Sequence, residues 1–219
     1  MHWPTAEMMT SVCPPAEGYH YEVLRKEVVP ELIAALRAWQ PGWSVGAASV
    51  YLLESYYENS VFLESGGPDR NVFVMLIRHG DELAGMLSQE RVVDALSLYA
   101  ALVVLAPAHR GSKTLFQGEY LEEMAKLMGL EFIYTLVTLK HRGAQRYFES
   151  HGYELVGFMP GYDREEVSPG VVKRVIEAAY VKCLSGSESI LTPDVANMTA
   201  TVRMLYEVMY AAPLAPSAA

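Results

Sequence analysis

An apolar run that ends in a short basic turn constrains the fold of this 219-residue chain more than any other feature. Residues 98–105 (LYAALVVL) are almost continuously apolar, which is the pattern of a central strand covered on both faces. The basic turn (APAHRGSKT, 106–114) follows, and residues 112–128 repeat apolar side chains at helical spacing up to Gly129. The sequence therefore predicts a buried strand, a tight basic turn and a helix in succession.

The remaining periodic segments predict an α+β fold, with strands before, between and after the helices. Alternating or β-branched runs predict strands at 19–28, 72–77, 83–89, 132–139, 153–158 and 179–184. Helical spacing predicts helices at 30–40, 46–59, 143–150 and 192–210. We expect a polar loop to join the last two strands.

Prolines and a polar stretch mark the two ends of the chain. Residues 1–18 contain three prolines and predict an N-terminal arm, while residues 185–189 (SGSES) predict a linker. The predicted organisation is an arm (1–18), a domain (19–184), and a linker with a C-terminal helix (185–219). That helix is expected to pack on the domain or on a second subunit, which would make a homodimer.

Composition narrows the classes of function. The formal net charge of −9 argues against a nucleic-acid binder, which usually presents a basic face. No apolar run approaches the ~20 residues that span a bilayer, and the N-terminus lacks the pattern of a signal peptide, so we expect no membrane partner. Cys13 and Cys183 form no metal or redox spacing, which suits a reducing cytoplasm.

The basic turn admits three interpretations: a nucleotide site, an acyl-CoA site, or a solvated connection. A P-loop requires lysine directly after its last glycine, but here Ser112 separates Gly111 from Lys113. Free N–H groups at a helix N-terminus bind a pyrophosphate without a metal, and Arg110 and Lys113 would add positive charge. A basic, glycine-containing turn before a helix is also common as a plain solvated connection.

A second segment, HRGAQRYFESHGY at 141–153, favours the acyl-CoA interpretation. Together the two segments resemble the signatures of the GNAT superfamily (GCN5-related N-acetyltransferases). Pro107 and Arg110 match the first signature, P-x-x-[RQ]-x-x-G-x-[GA], which Lys113 and Leu115 depart from. Against the second signature, N-x-x-A-x-x-[LY]-[YF]-E-x-x-G-[FY], His141 replaces Asn, and the matches are Ala144, Tyr147, Phe148, Glu149, Gly152 and Tyr153.

The resemblance, which extends over about 19–184, implies a mixed, mostly antiparallel twisted sheet flanked by helices, with a splayed central strand pair. It implies acetyl-CoA or another acyl-CoA as co-substrate, no metal, and direct attack by a small-molecule or peptide amine in a ternary complex. The implied donor-binding groups are the backbone at Val103, Val104 and Leu105, and Phe148. The pyrophosphate would lie on Arg110, Gly111, Ser112, Lys113, Thr114 and Leu115.

Catalytic groups are less clearly indicated. Many members protonate the departing thiolate with a tyrosine at the position of Phe148, and the adjacent Tyr147 points about 100° around the helix. Candidates for deprotonating the amine are Glu90, Tyr99 and His141. Each of the four candidates also has a structural interpretation: Glu90 as a solvated charge, Tyr99 and Tyr147 as packed aromatics, His141 as a helix cap.

The alternatives to an N-acyltransferase that uses acetyl-CoA remain open. Phe148 also suits a catalytically silent acyl-CoA-binding module, and the C-terminal helix suits an interaction protein. Aromatic side chains between 39 and 57 suit a bulky acceptor, a long-chain acyl group, or a plain core; they are Trp39, Trp43, Tyr51, Tyr56 and Tyr57. An acyl-carrier protein could replace CoA as the donor.

Overall fold

A computed structural model of the chain describes residues 1–64, 66–111 and 120–211. The described residues form seven strands in one sheet, in the order β1-β2-β3-β4-β5-β7-β6. The strands are β1 (Tyr19–Val23), β2 (Val72–His79), β3 (Glu82–Val92), β4 (Ser97–Leu105), β5 (Phe132–Thr138), β6 (Glu154–Ser168) and β7 (Val171–Cys183). Among them β4 and β5 pair in parallel, and the other neighbours are antiparallel. The prediction of a mixed, mostly antiparallel sheet is confirmed.

The parallel pair β4–β5 separates part of the way along its length. The two strands are paired from Ser97 opposite Phe132 to Ala100 opposite Thr135. Beyond that point β4 stays paired with β3 as far as Leu105, and β5 stays paired with β7. We call the Ala100–Thr135 pair the apex; there the Thr135 hydroxyl donates to the Ala100 carbonyl oxygen at 2.9 Å. The predicted splay of the central strands is confirmed.

Helices cover both faces of the sheet, because successive side chains of a strand point to opposite faces and the strands carry apolar side chains on both. On one face, called the α2 face, α2 (Val29–Trp39) and α3 (Glu54–Ser60) pack against β2, β3 and β4. On the opposite face, called the α4 face, lie α1 (Ala6–Val12), α4 (Tyr120–Met128) and α5 (Arg142–Ser150). Leu32 and Leu36 of α2, and Met9 and Met124 of the α4 face, are fully buried.

The first 18 residues pack into the core, so the expectation of an arm is wrong. Trp3, Met9 and Cys13 are buried in the cluster on the α4 face. The Trp3 ring stacks on Phe73 at 4.8 Å between centroids, and its Nε1–H donates to the Arg70 carbonyl oxygen at 2.8 Å. The prolines flank a short helix instead of preventing one, because Thr5 caps α1 by accepting the Met8 N–H.

Two further predictions are corrected by local geometry. The helix expected at 46–59 is a 3₁₀ helix (Ala47–Leu52) followed by α3, because Leu53 between them is extended. The polar loop expected between the last strands is a long β-hairpin formed by β6 and β7. Much of this hairpin is solvent-exposed, so its strands lack the apolar pattern of buried ones. The helix predicted from 112 is described from Tyr120 onward, and residues 112–119 lie outside the described residues.

Residues 185–219 form a second unit, separate from residues 1–184. The described part contains 3₁₀ turns at Ser187–Ser189 and Val195–Asn197, then α6 (Ala200–Tyr206) and a π-helical turn (Glu207–Ala211). The single helix predicted at 192–210 is divided because Asp194 and Thr199 each cap a separate start. In the described part of the chain, no helix is both long and apolar enough to cross a membrane.

Candidate functional site

Two stacked tyrosines lie next to the apex on the α2 face. Tyr99 of β4 is paired in register with Tyr134 of β5, one residue before Ala100 and Thr135. Their rings are 4.9 Å apart between centroids and within 21° of parallel. Leu98 and Ile133, the preceding residues, point into the core of the α4 face, so alternation directs both tyrosines to the other side. The point where the central strands separate therefore has an aromatic floor.

A carboxylate and further tyrosines border this floor on the side of α3. Glu90 of β3 is paired with Tyr99, and its side chain is exposed. The Tyr51 hydroxyl is hydrogen-bonded to the Ser88 hydroxyl at 2.7 Å, and the Tyr56 ring packs against Tyr51 at 5.0 Å. Burial raises the pKa of Tyr56, a hydrogen bond with Tyr51 offsets part of that rise, and the negative charge of Glu90 adds to it. Glu90 therefore acts electrostatically on the Tyr56 hydroxyl.

The β6–β7 hairpin supplies the other side of the site. Burial, and next the nearby Tyr162, raise the pKa of Tyr99 far above its ordinary value, and the charge of Glu177 adds to the shift. In a flat sheet β6 would lie about 14 Å from β4, because two strands intervene at ~4.8 Å per spacing. Register shifts interrupt β6 at three places, which bend a strand. The hairpin curves over the α2 face, because its Asp163 accepts the N–H of Ala47 from the loop after α2 at 2.7 Å. The effect of Tyr162 on Tyr99 agrees with this curvature.

Glu177 of β7 has the electrostatics of a proton acceptor. Burial raises the pKa of its carboxyl, and the negative charges of Asp163 and Glu165 raise it further. A carboxylate with a raised pKa is a stronger base than an exposed one. Tyr99, whose pKa is also raised, stays protonated at neutral pH and can donate a hydrogen bond. We call Tyr56, Glu90, Tyr99, Tyr134, Tyr162 and Glu177 the tyrosine–glutamate cluster.

The edge of β4 beyond the apex is the second part of the site. A register shift against β3 leaves Ala101 as an extra residue between Ala100 and Leu102, which is a β-bulge. Val103 is 53% exposed, whereas Val104 is buried and Leu105 is half-buried. An exposed apolar side chain in a central strand marks a surface that its neighbouring strand has left uncovered.

The basic turn after β4 is tied to the end of α2. Residues Pro107–His109 form a 3₁₀ turn, and Arg110 donates through Nε to the Leu105 carbonyl oxygen (3.2 Å) and through Nη2 to the Trp39 carbonyl oxygen (3.1 Å). Gly111 has φ +81, and no described atom lies within 4 Å of where a Cβ would be. Ser112, Lys113, Thr114 and Leu115 lie outside the described residues.

The α5 candidates lie away from the tyrosine–glutamate cluster. Phe148 is 6% exposed and contacts Tyr153 and Tyr180 in the core of the α4 face, at 4.9 and 6.1 Å between ring centroids. Tyr147 is half-buried on the same face and packs against His151 at 4.3 Å. His141 is exposed at the N-cap of α5 and makes no side-chain capping bond, so the capping role is not observed.

The structure brings together Glu90 and Tyr99 but not His141 or Tyr147. His141 follows the far end of β5, and Tyr134 to Thr138 alone extends about 13 Å at ~3.3 Å per residue. Sequence analysis missed Tyr134, Tyr162 and Glu177. Residues 171–178 (VVKRVIEA) lack a period-2 alternation of apolar and polar side chains, so no periodic signal indicated that the predicted strand begins before Glu177. Among the residues described, no three or more His, Cys, Asp or Glu side chains are grouped to hold a metal ion.

Comparison with known proteins bears on the fold. Neither a scan of family models nor a search of curated proteins gives a match. The chain is similar to solved structures of the spermidine/spermine N-acetyltransferase SpeG from Vibrio cholerae. One, of mutant forms of that enzyme, has a TM-score of 0.58 at 12% identity, over 77% of this chain and 95% of that one. Another, in complex with CoA and spermine, has a TM-score of 0.57 at 13% identity, over 77% and 97%.

A third similar structure is the IAA acetyltransferase from Bacillus cereus ATCC 14579. Its TM-score is 0.50 at 11% identity, over 76% of this chain and 99% of that one. At these identities the similarity concerns the fold. With the mixed sheet, the β4–β5 splay and the flanking helices, it establishes that this chain has the fold of the GCN5-related N-acetyltransferases.

Proposed function

We propose that the protein is an acyl-CoA-dependent N-acyltransferase, which moves an acyl group from CoA to an amine by direct attack in a ternary complex. The observation that carries the proposal is the position of the tyrosine–glutamate cluster. Its floor, Tyr99 and Tyr134, lies one residue pair from the apex where β4 and β5 separate. Groups suited to binding and deprotonating an amine therefore adjoin the opening suited to an extended donor.

The opening beyond the apex fits an acyl-CoA. The bulge at Ala101 and the exposed Val103 leave an uncovered strand edge, along which backbone groups at Val103, Val104 and Leu105 would bind the pantetheine arm. Gly111 leaves room at the start of the turn, and Arg110 holds that turn against α2. A bound acyl-CoA supplies the activated acyl group as a thioester, and an N–H of β4 would polarise its carbonyl.

Proton transfer is assigned to the cluster. An amine arrives as its ammonium form and must lose a proton before it attacks. Glu177, whose pKa is raised by burial and by neighbouring acids, is the preferred acceptor of that proton, and Glu90 is the second. Tyr99 would donate a hydrogen bond, because its raised pKa keeps it protonated. With Phe148 in the core, solvent would protonate the departing thiolate.

The acceptor is best matched by a slender aliphatic amine with more than one positive charge. Glu90 and Glu177 each act electrostatically on a hydroxyl of the cluster, and tyrosine faces attract cations. A carboxylate or a tyrosine ring of the cluster would therefore bind a second ammonium group of the acceptor while the first amine reacts. The SpeG structure solved with CoA and spermine supports this class of acceptor.

The test is transfer from acetyl-CoA to a panel of amines. The panel contains putrescine, spermine, butylamine and a peptide with a free α-amino group, and the readout is released thiol together with the mass of the amine product. We expect acetylated polyamines, and a loss of at least tenfold in kcat/KM in Glu177→Gln. Glu154→Gln, at an exposed position of the same hairpin, is the matched control and should keep wild-type activity.

Two results would contradict the proposal. If the protein binds CoA but acetylates no member of the panel, it is the silent binding module that the buried Phe148 would suit. If it neither binds CoA nor transfers an acyl group, the fold serves another purpose. Repeating the assay with longer acyl-CoAs and with an acyl-carrier protein distinguishes the donors.

A further inference from the structure

A set of hydrogen bonds joins the loop after α2 to the β6–β7 hairpin. Asp163 Oδ1 accepts the backbone N–H groups of Ala47 and Arg164, each at 2.7 Å. The Ser44 hydroxyl donates to Glu166 Oε2 at 2.6 Å. We call residues 44–47 and 163–166, with these bonds, the clasp. The clasp therefore fixes the loop to the hairpin through both backbone and side-chain groups.

Gly46 allows the two backbones of the clasp to approach closely. A Cβ at this position would overlap the Arg164 carbonyl oxygen and lie 2.6 Å from Asp163 Oδ1. Its backbone, at φ +88 and ψ −175, is also in a region that is almost restricted to glycine. By contrast, a Cβ on Gly42 of the same loop would make ordinary contact with Glu166, 3.9 Å from its carbonyl oxygen. Glycine is therefore required at 46 and not at 42.

The clasp joins two segments of the chain that lead to the tyrosine–glutamate cluster. On its loop side, the chain continues from Ala47 into the 3₁₀ helix that contains Tyr51. On its hairpin side, Asp163 directly follows Tyr162, which lies near Tyr99. Helix α2 covers β2 to β4, while β6 is the strand at the far edge of the sheet. The clasp therefore connects the side of the cluster near Tyr51 to the side that carries Tyr162.

We propose that Gly46 and Asp163 determine acceptor specificity, because the clasp holds the hairpin over the stacked tyrosines of β4 and β5 and closes a passage between the hairpin and their rings. The bond from the Ala47 N–H to Asp163, the residue after Tyr162, holds the hairpin in this position. Burial raises the pKa of Tyr99, and Tyr162 raises it further. We expect the space beneath the hairpin to admit an unbranched alkyl amine and to exclude a ring. The inference rests on the proposed N-acyltransferase function and adds the shape of the acceptor that the site admits.

The first experiment measures the clasp without turnover. Hydrogen exchange of the Ala47 amide, measured by NMR or by mass spectrometry of residues 41–53, reports directly on its bond to Asp163. We expect exchange at least tenfold faster in Asp163→Ala and in Gly46→Ala than in wild type. Gly42→Ala is the control, and Asp163→Asn keeps an acceptor oxygen without the charge, so both should exchange as wild type does. Unchanged exchange in Asp163→Ala would overturn the clasp.

The second experiment measures selection between two diamines of equal charge. Putrescine is slender and para-xylylenediamine carries a ring, so the ratio of their kcat/KM values reports the shape of the passage. We expect wild type to prefer putrescine, and Asp163→Ala and Gly46→Ala to reduce that preference about tenfold. Gly42→Ala and Asp163→Asn should retain it. Faster exchange of the Ala47 amide with an unchanged preference would overturn the role in specificity.

The two experiments separate this inference from the proposed function. If wild type acetylates neither diamine, the proposed function fails for this acceptor class. The preference is then measured as the ratio of the two dissociation constants by calorimetry in the presence of CoA. The same loss of preference in Asp163→Ala supports the clasp, and an unchanged ratio, or no binding of either diamine to wild type, overturns it.

Discussion

Replacing Thr135 with valine removes the side-chain hydrogen bond that joins β4 to β5 at the apex. The hydroxyl donates to the Ala100 carbonyl oxygen at 2.9 Å, and Thr135 is 4% exposed, so water cannot readily replace it. Valine has nearly the same shape and is β-branched, so the strand geometry of β5 is preserved. The substitution therefore isolates the hydrogen bond from packing.

The expected loss of stability follows from the burial of both groups. A hydrogen bond of this kind contributes about 0.5–1.5 kcal/mol net, and an acceptor left buried without its donor costs about 1–3 kcal/mol. The Ala100 carbonyl lies where β4 and β5 begin to separate, which argues against the upper end of these ranges, so we expect a loss of about 1–2 kcal/mol in the free energy of unfolding. For a chain of this size that lowers Tm by about 2–8 °C.

The assay combines chemical denaturation with calorimetric binding of CoA. Thr138→Val on the same strand is the matched control. Among the described residues the Thr138 hydroxyl accepts an exposed bond from the Lys140 N–H at 3.2 Å, so we expect stability to change by less than about 0.5 kcal/mol. We expect Thr135→Val also to weaken CoA binding several-fold, since the shape of the splay begins at this bond. Wild-type stability and CoA affinity in Thr135→Val would refute the role given to the apex.

Three other predictions concern charged groups. Folding raises the pKa of Glu177, so its carboxyl binds a proton more tightly in the folded chain, and the free energy of unfolding falls as pH rises from the ordinary pKa of 4.5 to the raised pKa. In Glu177→Gln, chemical denaturation measured across this pH range should not show that fall. Lys182→Met leaves the buried Glu122 without its 2.6 Å ion pair and should lower the free energy of unfolding by about 2–4 kcal/mol. Lys126→Met, which breaks an exposed ion pair, is the control and should lower it by less than about 1 kcal/mol. Lys113→Ala should weaken CoA binding several-fold and reduce its dependence on salt, as measured by calorimetry at two ionic strengths.

The strands that sequence analysis predicted well are those whose burial is local and regular. Residues 72–77 and 83–89 are short, mostly apolar runs on either side of the HGDE turn and form the β2–β3 hairpin, and residues 98–105 lie in β4. The mixed sheet and its splayed central strands were predicted from the resemblance of two short motifs to the GNAT signatures, and not from the periodicity of the sequence. Sequence analysis predicted that β4 is covered on both faces, but Val103 is exposed, because β5 separates from β4 before that residue.

The site was only partly predictable, because its residues meet through bends that no local pattern records. Glu90 and Tyr99 were selected individually, and the pairing of β3 with β4 brings them together. Tyr162 reaches Tyr99 only because the β6–β7 hairpin curves over the sheet, which register shifts in β6 allow. The packing of residues 1–18 was missed for a related reason: Trp3 is buried by contact with Phe73, 70 residues further along the chain.

The most direct measurement of the central claim is the balance of products when acetyl-CoA and spermine are mixed with excess protein. Direct attack in a ternary complex predicts equal amounts of free CoA thiol and monoacetylated spermine, with no acetyl group left on the protein by intact mass. Thiol released without acetylated spermine would mean hydrolysis. In a parallel sample without spermine, an acetyl group retained on the protein would mean a covalent route, and either result contradicts the account.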